Sequence, residues 1–348
     1  MKKRILIALG CLLLLLLLVL GVGKLLIVQY GKTPREGSGQ TVVVDIAGGL
    51  GPKGIASLLA QKGVVADGSL FYYYIRYVRR ASAQLKAGEL GFRDNLSPDE
   101  VIKVLMEGIP VTHKVTVPEG LRLDEIALLY EQGGLAKAAV FLARARDPDF
   151  VRSLALPATS LEGFLYPETY HFRKRTPVDE VLTTMVQGYR RVFTPEMKKR
   201  ARELGMDELQ AVTLASIVEK ETGAPQERPL ISGVFHNRLK KNWRLDTDPT
   251  VIYAVLLARG HFDGNLTRAD LSLEHPYNTY RRKGLPPGPI CSPGGEAIRA
   301  ALYPTRTEAM FFVSKNDGTH KFCPTLSCHN QAVGTYQGRP KTKPGEAR

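Results

Sequence analysis

The chain of 348 residues is long enough for roughly two or three folded modules, and its 44% hydrophobic and 24% charged residues are typical of a folded protein. The formal net charge is +14. Residues 1–40, with six basic and one acidic residue, and residues 336–348, with four and one, carry more than half of it. The sequence contains no phosphate-binding glycine loop and no nucleic-acid-binding motif. The charge therefore argues against nucleic acid as a partner and favours an anionic membrane surface or wall polymer.

The N-terminus predicts a membrane anchor. Residues 5–23 contain neither charge nor proline, and Leu25–Val28 extend the apolar run past Lys24. At about 1.5 Å per residue, a helix over residues 5–28 crosses a hydrocarbon core of roughly 30 Å. A cleaved signal peptide is the alternative, but its apolar region usually spans only about 7 to 15 residues. The basic residues within positions 1–4 predict a single-pass protein of the cytoplasmic (inner) membrane, with its N-terminus in the cytoplasm and the bulk outside.

A small α+β module is predicted after a polar linker at residues 29–40. The sequence TVVVDI at residues 41–46 is typical of a strand, and IASLLAQ at residues 55–61 has helical apolar spacing. In SPDEVIKVLMEG, Ser97 is a predicted N-cap, Pro98 lies in the first turn, Glu100 completes a capping box and Gly108 ends the helix. These elements define a module over residues 41–110.

A second strand-like segment at residues 112–120 opens a larger region. We expect this mixed α/β module to cover residues 111–335, and a loose basic tail to follow at residues 336–348. The predicted fold class is therefore α+β, with an N-terminal transmembrane helix and two modules outside the membrane.

A helical projection of DELQAVTLASIVEKE, residues 207–221, distinguishes two glutamates. At about 100° per residue, Leu214, Val218 and their neighbours form an apolar arc. Glu219 falls inside this arc, whereas Glu221 falls at its polar margin. Desolvation penalises the charged form of a carboxyl group on an apolar face, which suits a general acid that must hold its proton. The alternative is a frayed helix end with a solvated glutamate.

Three other segments mix aromatic rings with amides, carboxylates and guanidinium groups, as a sugar-binding groove requires. They are LEGFLYPETYHF at residues 161–172, VFHNRLKKNWRLDTDPTVIYA at 234–254 and YNTYRRKGLPPGPICSPG at 277–294. Packed turns are the alternative interpretation, since Pro, Gly, Asn and Asp also build turns. The candidate substrate-binding residues in these segments are Glu162, Tyr166, Asn237, Arg238, Asp248, Asn278 and Tyr280.

The sequence resembles the membrane-anchored endolytic murein transglycosylases, the YceG-like or MltG family. The resemblance rests on LEGFLYPETY, ASIVEKET, Glu227-Arg228, VFHNRL, LDTDPTVIY, YNTY, GLPPGPI, HKF and His329-Asn330, which follow the family's order. It implies a LysM-like peptidoglycan-binding module over residues 41–110 and a YceG-like catalytic domain over residues 111–335. It also implies cleavage of MurNAc–GlcNAc bonds within nascent glycan strands, with 1,6-anhydro-MurNAc ends and a role in terminating strand elongation.

The family's catalytic glutamate corresponds to Glu219, the residue that the helical projection also selects. One glutamate suffices for this reaction, because the sugar's own C6 hydroxyl replaces water as the nucleophile. Glu162, Glu221 and Asp248 are candidates for supporting roles, and capping of turns or binding of arginine is an equal alternative for Glu162 and Asp248. Peptidoglycan strands, the membrane and cell-wall synthases (penicillin-binding proteins) are the expected partners, with no cofactor and no metal. A muramidase-type hydrolase and a non-catalytic peptidoglycan-binding scaffold are the alternative functions.

His320, Cys323, Cys328 and His329 lie within ten residues, a spacing that could bind zinc. The family pattern supplies the histidines without the cysteines. Outside the membrane a Cys323–Cys328 disulfide is favoured over free thiols or zinc, and Cys291 stays unpaired.

Overall fold

The computed structural model describes residues 2–108, 110–221 and 223–337. Its chain divides into two compact units. Unit 1 contains residues 1–113 and 173–175, and unit 2 contains residues 114–172 and 176–348. The predicted basic tail lies outside the described residues from position 338 onward. The overall class is mixed α+β, with a long apolar helix at the N-terminus.

Unit 1 begins with helix α1, Lys2–Lys32, whose segment Gly10–Lys32 is long and apolar enough to cross a membrane. By length and composition this helix fits a membrane anchor or a signal sequence alike. It continues four residues beyond the predicted span, so the first part of the predicted linker is helical. Residues 33–40 form neither helix nor strand.

The rest of unit 1 surrounds a two-stranded antiparallel sheet. Strand β1, Thr41–Ile46, pairs with β2, Gly88–Arg93, from Thr41 opposite Arg93 to Ile46 opposite Gly88. Between them lie α2, Pro52–Gln61, and α3, Gly68–Tyr73, which continues as a π-helical turn, Tyr74–Val78. Helix α4, Pro98–Glu107, follows β2. Fully buried side chains from all these elements form one core: Val44, Leu59, Phe71, Ile75, Leu90, Phe92, Val101 and Leu105.

The local predictions for this unit hold closely. Strand β1 has the predicted bounds, and α4 has the predicted capping box between Ser97 and Glu100. Gly108 ends α4 with φ of 60°, a left-handed conformation that glycine adopts without strain. Helix α2 begins at Pro52, three residues before its predicted start, because Pro is favoured in a first helical turn.

Unit 2 is mostly helical. Strand β3, His113–Thr116, pairs with β4, Thr169–Phe172, and strand β5, Phe311–Ser314, pairs antiparallel with β6, His320–Cys323. The helices are α5 Leu123–Gln132, α6 Ala138–Ala145, α7 Pro148–Ser153, α8 Val178–Val192, α9 Pro195–Glu203, α10 Glu208–Glu221, α11 Arg228–Lys240, α12 Asp248–Arg259, α13 Arg268–Leu271, α14 Gly295–Leu302 and α15 Leu326–Tyr336. Strand β3 is shorter than the predicted segment 112–120, because Pro118 and the turn at Gly120 (φ 77°) end the pairing.

Helix α10 lies in the core of unit 2. All eight residues from position 211 to 218 are buried, including Thr213 and Ser216. The two hydroxyl groups are satisfied by main-chain carbonyls, Thr213 at Leu209 and Ser216 at Thr213. The predicted division of this helix into an apolar arc and a polar face is therefore wrong, since its middle is enclosed on every side. What the sequence places correctly is the helix itself and a glutamate at its buried end.

Cys323 and Cys328 form a disulfide with an S–S distance of 2.07 Å, the pairing that the sequence favoured. The bridge links the end of β6 to the first turn of α15. Cys291 is buried as a free thiol, and Cys11 is exposed on α1. Among the described residues, no group of three or more His, Cys, Asp or Glu side chains is arranged to bind a metal ion.

Candidate active site

Glu219 lies in the last turn of α10, with only 6% of its side chain exposed. Its two carboxyl oxygens have different partners. Oε1 accepts a hydrogen bond of 2.7 Å from Nη2 of Arg228, and Oε2 accepts one of 2.9 Å from the backbone N–H of Gly294. The carboxyl group is thus oriented by two fixed donors in a largely dry environment.

Each donor is supplied by the start of a helix. Arg228 is the first residue of α11, and Gly294 is the N-cap of α14, whose first turn has main-chain N–H groups without helical partners. The positive end of the α14 dipole adds to the attraction for a negative charge at Glu219. Helix α14 packs against α10 along their apolar faces, so the amide of Gly294 is held in place by the core.

A second carboxylate, Glu119, lies beside this pair. Its Oε2 is 3.7 Å from the same Arg228 Nη2 that binds Glu219, and 47% of its side chain is exposed. Burial, together with the negative charge of Glu219, raises the pKa of Glu119. Arg228 therefore bridges two carboxyl groups, one nearly enclosed and one accessible from solvent.

The loop that carries Glu119 is fixed by its backbone. The Gly120 N–H donates to Ser292 O at 2.9 Å, and the Ser292 N–H donates to Leu121 O at 2.8 Å. Lys220 Nζ donates to Gly120 O at 3.2 Å. These bonds tie the loop to the segment before α14 on one side and to α10 on the other. Gly294 has no Cβ, and a methyl group there would overlap with the Glu119 carboxylate.

Tyr166 is the one predicted substrate-binding residue that lies directly at this site. Its hydroxyl faces the backbone of Gly295, the residue after the Gly294 donor. Partial burial raises the pKa of Tyr166, and the charge of Glu119 acts in the same direction. The ring therefore forms part of the wall around Glu119 and the start of α14.

Glu221 occupies the end of α10, two residues beyond Glu219, and is partly buried rather than solvated as its predicted polar margin implied. Burial raises its pKa to about 7, the nearby charge of Asp248 acts in the same direction, and Thr247 and Arg238 oppose the rise. Asp248 in turn accepts a 2.8 Å hydrogen bond from the hydroxyl of Tyr280. Glu221, Asp248 and Tyr280 thus form a polar cluster at the end of α10.

The other predicted substrate-binding residues hold loops together. Asn237 donates to Thr307 O and Ala309 O, and buried Arg238 donates to Met310 O and Leu245 O. Asn278 is fully buried and donates to Leu271 O and Leu273 O. Their side chains are occupied by main-chain carbonyls, so substrate contact by these three residues stays a prediction.

Glu162 is 7% exposed and lines a separate cavity of about 590 Å³. Its carboxyl group accepts from the Leu123 N–H at 3.1 and 3.3 Å and from the Tyr253 hydroxyl at 3.0 Å. Burial raises its pKa to about 7. These contacts tie the start of α5 to α12, and they give Glu162 a role in the scaffold of unit 2.

Sequence reasoning missed Glu119 and Gly294 and noted Arg228 only within a motif. The signal for Arg228 was its place directly after Glu227, in a segment that follows α10. Glu119 gave no periodic signal, because it lies in a loop 100 residues away from Glu219.

Comparison with known proteins identifies relatives of this chain. A model of the YceG-like family matches residues 44–335, most of the chain and both units. The chain belongs to the YceG-like family. An endolytic murein transglycosylase of Bacillus subtilis is 33% identical over 330 residues, which are 88% of this chain and 89% of that protein. One from Streptococcus pneumoniae strain D39 is 29% identical over 328 residues, covering 85% of this chain and 58% of the longer relative.

A solved structure of the same family also matches. The crystal structure of a YceG-like protein from Listeria monocytogenes aligns with a TM-score of 0.57 at 34% sequence identity. The alignment covers 84% of this chain and 99% of that one. The fold described above is therefore the fold of this family.

Proposed function

We propose that this protein is an endolytic lytic transglycosylase of peptidoglycan. It cleaves MurNAc–GlcNAc bonds within nascent glycan strands, leaves 1,6-anhydro-MurNAc ends and so terminates strand elongation. It acts from the outer face of the cytoplasmic membrane, with α1 as an uncleaved single-pass anchor and its N-terminus in the cytoplasm. Penicillin-binding proteins that synthesise the strands are its partners.

The observation that carries this proposal is the setting of Glu219. A binding scaffold has no use for a carboxyl group that is 6% exposed, oriented by two donors and placed beside a second, accessible carboxylate. A buried, oriented carboxyl group beside an accessible one whose pKa is raised is typical of catalytic sites. The endolytic murein transglycosylases among the relatives supply the reaction class.

The chemistry requires one group that is first an acid and then a base. Protonated Glu219 donates its proton to the glycosidic oxygen as the bond from that oxygen to C1 of MurNAc breaks. The resulting carboxylate accepts the proton of the C6 hydroxyl, whose oxygen forms the new bond to C1. The proton returns to Glu219, and no water is consumed. General acid–base assistance of this type contributes roughly 10²–10⁴-fold to rate.

Arg228 and Gly294 assist the two protonation states differently. The Gly294 amide binds Oε2, which leaves Oε1 to carry the proton. Arg228 now occupies Oε1, so it must release this atom before Glu219 can act as an acid. Glu119 contacts the same Arg228 nitrogen and offers the guanidinium another partner. We assign Arg228 and Glu119 as positioning residues that orient the Glu219 carboxyl group.

The module over residues 41–110 is the LysM-like part that holds the glycan strand. The polar cluster of Glu221, Asp248 and Tyr280 supplies further substrate contacts at the end of α10. Tyr166 contributes an aromatic wall beside Glu119. The assignments of the module and of the polar cluster rest on the sequence resemblance, and that of Tyr166 rests also on its position beside Glu119 and Gly295.

A muramidase-type hydrolase is the second candidate function. The presence of Glu119 beside Glu219 favours it, because the sequence had indicated no second carboxyl group at this position. Hydrolytic glycosidases use two carboxyl groups about 5–9.5 Å apart, and here two of them share one guanidinium. The test is mass spectrometry of products from purified glycan strands in water labelled with heavy oxygen. Unlabelled anhydro ends support the proposal, whereas labelled reducing ends identify a hydrolase. Intact strands that are bound but never cleaved would identify a scaffold.

A further inference from the structure

An exposed aromatic surface lies on α3 and the π-helical turn of unit 1. Leu70, Tyr73, Tyr77 and Val78 are 47%, 57%, 62% and 43% exposed, although their neighbours Phe71, Tyr74 and Ile75 are core residues. The rings of Tyr73 and Tyr77 stack with centroids 5.9 Å apart, and the guanidinium of Arg76 lies 5.6 Å from the Tyr77 centroid. We call Leu70, Tyr73, Arg76, Tyr77 and Val78 the tyrosine face. Nothing in the chemistry at Glu219 uses it.

The buried side of the same helical segment holds the end of α1. Leu25–Val28 are exposed along α1, but Gly31 is buried and Tyr30 is partly buried. The ring of Tyr30 packs edge-on against Tyr74 at 5.4 Å, and Gly31 leaves no room for a Cβ beside the Tyr74 hydroxyl. The Tyr74 hydroxyl donates to Asp99, which also pairs with Arg79. The contact is therefore specific and reaches into the core of unit 1.

The position of this contact along α1 fixes its height relative to a bilayer. The anchor predicted from the sequence covers residues 5–28, which at about 1.5 Å per residue cross a hydrocarbon core of roughly 30 Å, so this span ends two residues before Tyr30. Tyr30 then lies at the level of the lipid headgroups, where tyrosine is enriched. Tyr74 is packed against it, and Tyr77 follows Tyr74 by three residues, so the tyrosine face belongs to the helical segment that contacts the end of the anchor.

We propose that the tyrosine face inserts into the headgroup layer of the membrane in which α1 is anchored, and so holds unit 1 against the bilayer. The proposal rests on the anchor assigned under the proposed function. Tyrosine rings with one polar end, flanking aliphatic side chains and arginines suit this layer. Arg76, Arg79 and Arg80 are exposed on the same segment and would attract anionic headgroups. A glycan strand stacked on the two tyrosine rings is the competing occupant.

The test uses the full-length protein in nanodiscs whose lipids carry bromine on the acyl chain close to the headgroup. Trp243 is the single tryptophan, so Trp243→Phe gives a silent background. Separate variants then add Leu20→Trp in α1, Tyr77→Trp in the tyrosine face, and Val43→Trp, a control that is 45% exposed on β1 of the same unit. Tyr73→Trp is a second reporter for the face, and strand cleavage verifies that each variant is folded.

We expect brominated lipid to quench tryptophan at positions 20, 77 and 73, and to leave position 43 unquenched. Quenching at position 77 should fall when phosphatidylglycerol is replaced by phosphatidylcholine, and should fall again with Arg76→Gln. If position 20 is quenched while 77 and 73 behave like 43, the anchor stands and the proposal fails. If glycan strands shield position 77 from aqueous iodide and lipid does not quench it, the face binds sugar instead. If position 20 is also unquenched, the anchor assignment fails together with the proposal.

Discussion

Glu162→Gln tests how the scaffold of unit 2 responds to pH. The ordinary pKa of a glutamate is near 4.5, whereas burial raises that of Glu162 to about 7. In the unfolded chain this group loses its proton near pH 4.5, but in the folded protein it keeps the proton until about pH 7. Between these values the folded state binds more protons, so its contribution to stability falls as pH rises and is constant above about pH 7.

The size of the effect follows from the difference between the two pKa values, which corresponds to about 3 kcal/mol. Glutamine has the shape of glutamate and can still accept from the Leu123 N–H, but it does not titrate. We therefore expect Glu162→Gln to differ least from the wild type near pH 5 and to exceed it at pH 8 by up to about 3 kcal/mol, because the pKa of about 7 already includes the hydrogen bonds from Tyr253 and Leu123. Glu221, whose pKa is also about 7, changes the two proteins equally and cancels from their difference.

The assay is denaturant unfolding of wild type and variant from pH 5 to pH 8, followed by the fluorescence of Trp243, which reports on unit 2. The difference between the two free energies of unfolding should change with pH between about 4.5 and 7. A constant difference across this interval, or a variant that is weakest at pH 8, would refute the assigned burial of a neutral carboxyl group.

Three further perturbations test the site and its surroundings. Arg228→Lys removes the guanidinium that bridges two carboxylates, and turnover of glycan strands should fall roughly tenfold to a hundredfold, the equivalent of one charged hydrogen bond. Gly294→Ala should displace the Glu119 carboxylate and keep the amide that donates to Glu219. The pH–rate profile of Gly294→Ala should therefore match that of Glu119→Gln. A wild-type profile for Gly294→Ala would contradict the role of Glu119. Replacing Cys323 and Cys328 by serine should lower stability by about 2 kcal/mol, measured as melting temperature, with strand cleavage retained at low temperature.

The elements that could be predicted from sequence are those with strong local signals. The run of β-branched residues in TVVVDI and the capping box between Ser97 and Glu100 determine β1 and α4, because both signals depend on residues that are neighbours in the chain. The disulfide also joins neighbours, Cys323 and Cys328. Helix α10 was predicted, and Glu219 was selected within it.

The partners of Glu219 could not be predicted in the same way. Arg228, Gly294 and Glu119 come from a helix start, an N-cap and a loop, and no periodicity connects loops that tertiary packing brings together. The projection also assumed that α10 has a solvent face. Packing against α14 encloses it instead, so the buried position of Glu219 follows from tertiary contacts rather than from amphipathicity. Glu221 was misjudged for the same reason.

The most direct test of the account is the release of anhydro-ended fragments by Glu219→Gln, with Glu221→Gln as the matched control from the same helix. Glutamine at position 219 can still accept from Arg228 and Gly294 but has no transferable proton, so the melting temperature should stay near that of wild type. Turnover should fall by at least roughly 10²–10⁴-fold, and Glu221→Gln should lose far less. A folded Glu219→Gln protein that releases anhydro ends at close to the wild-type rate would contradict the assignment of Glu219 as the catalytic acid and base.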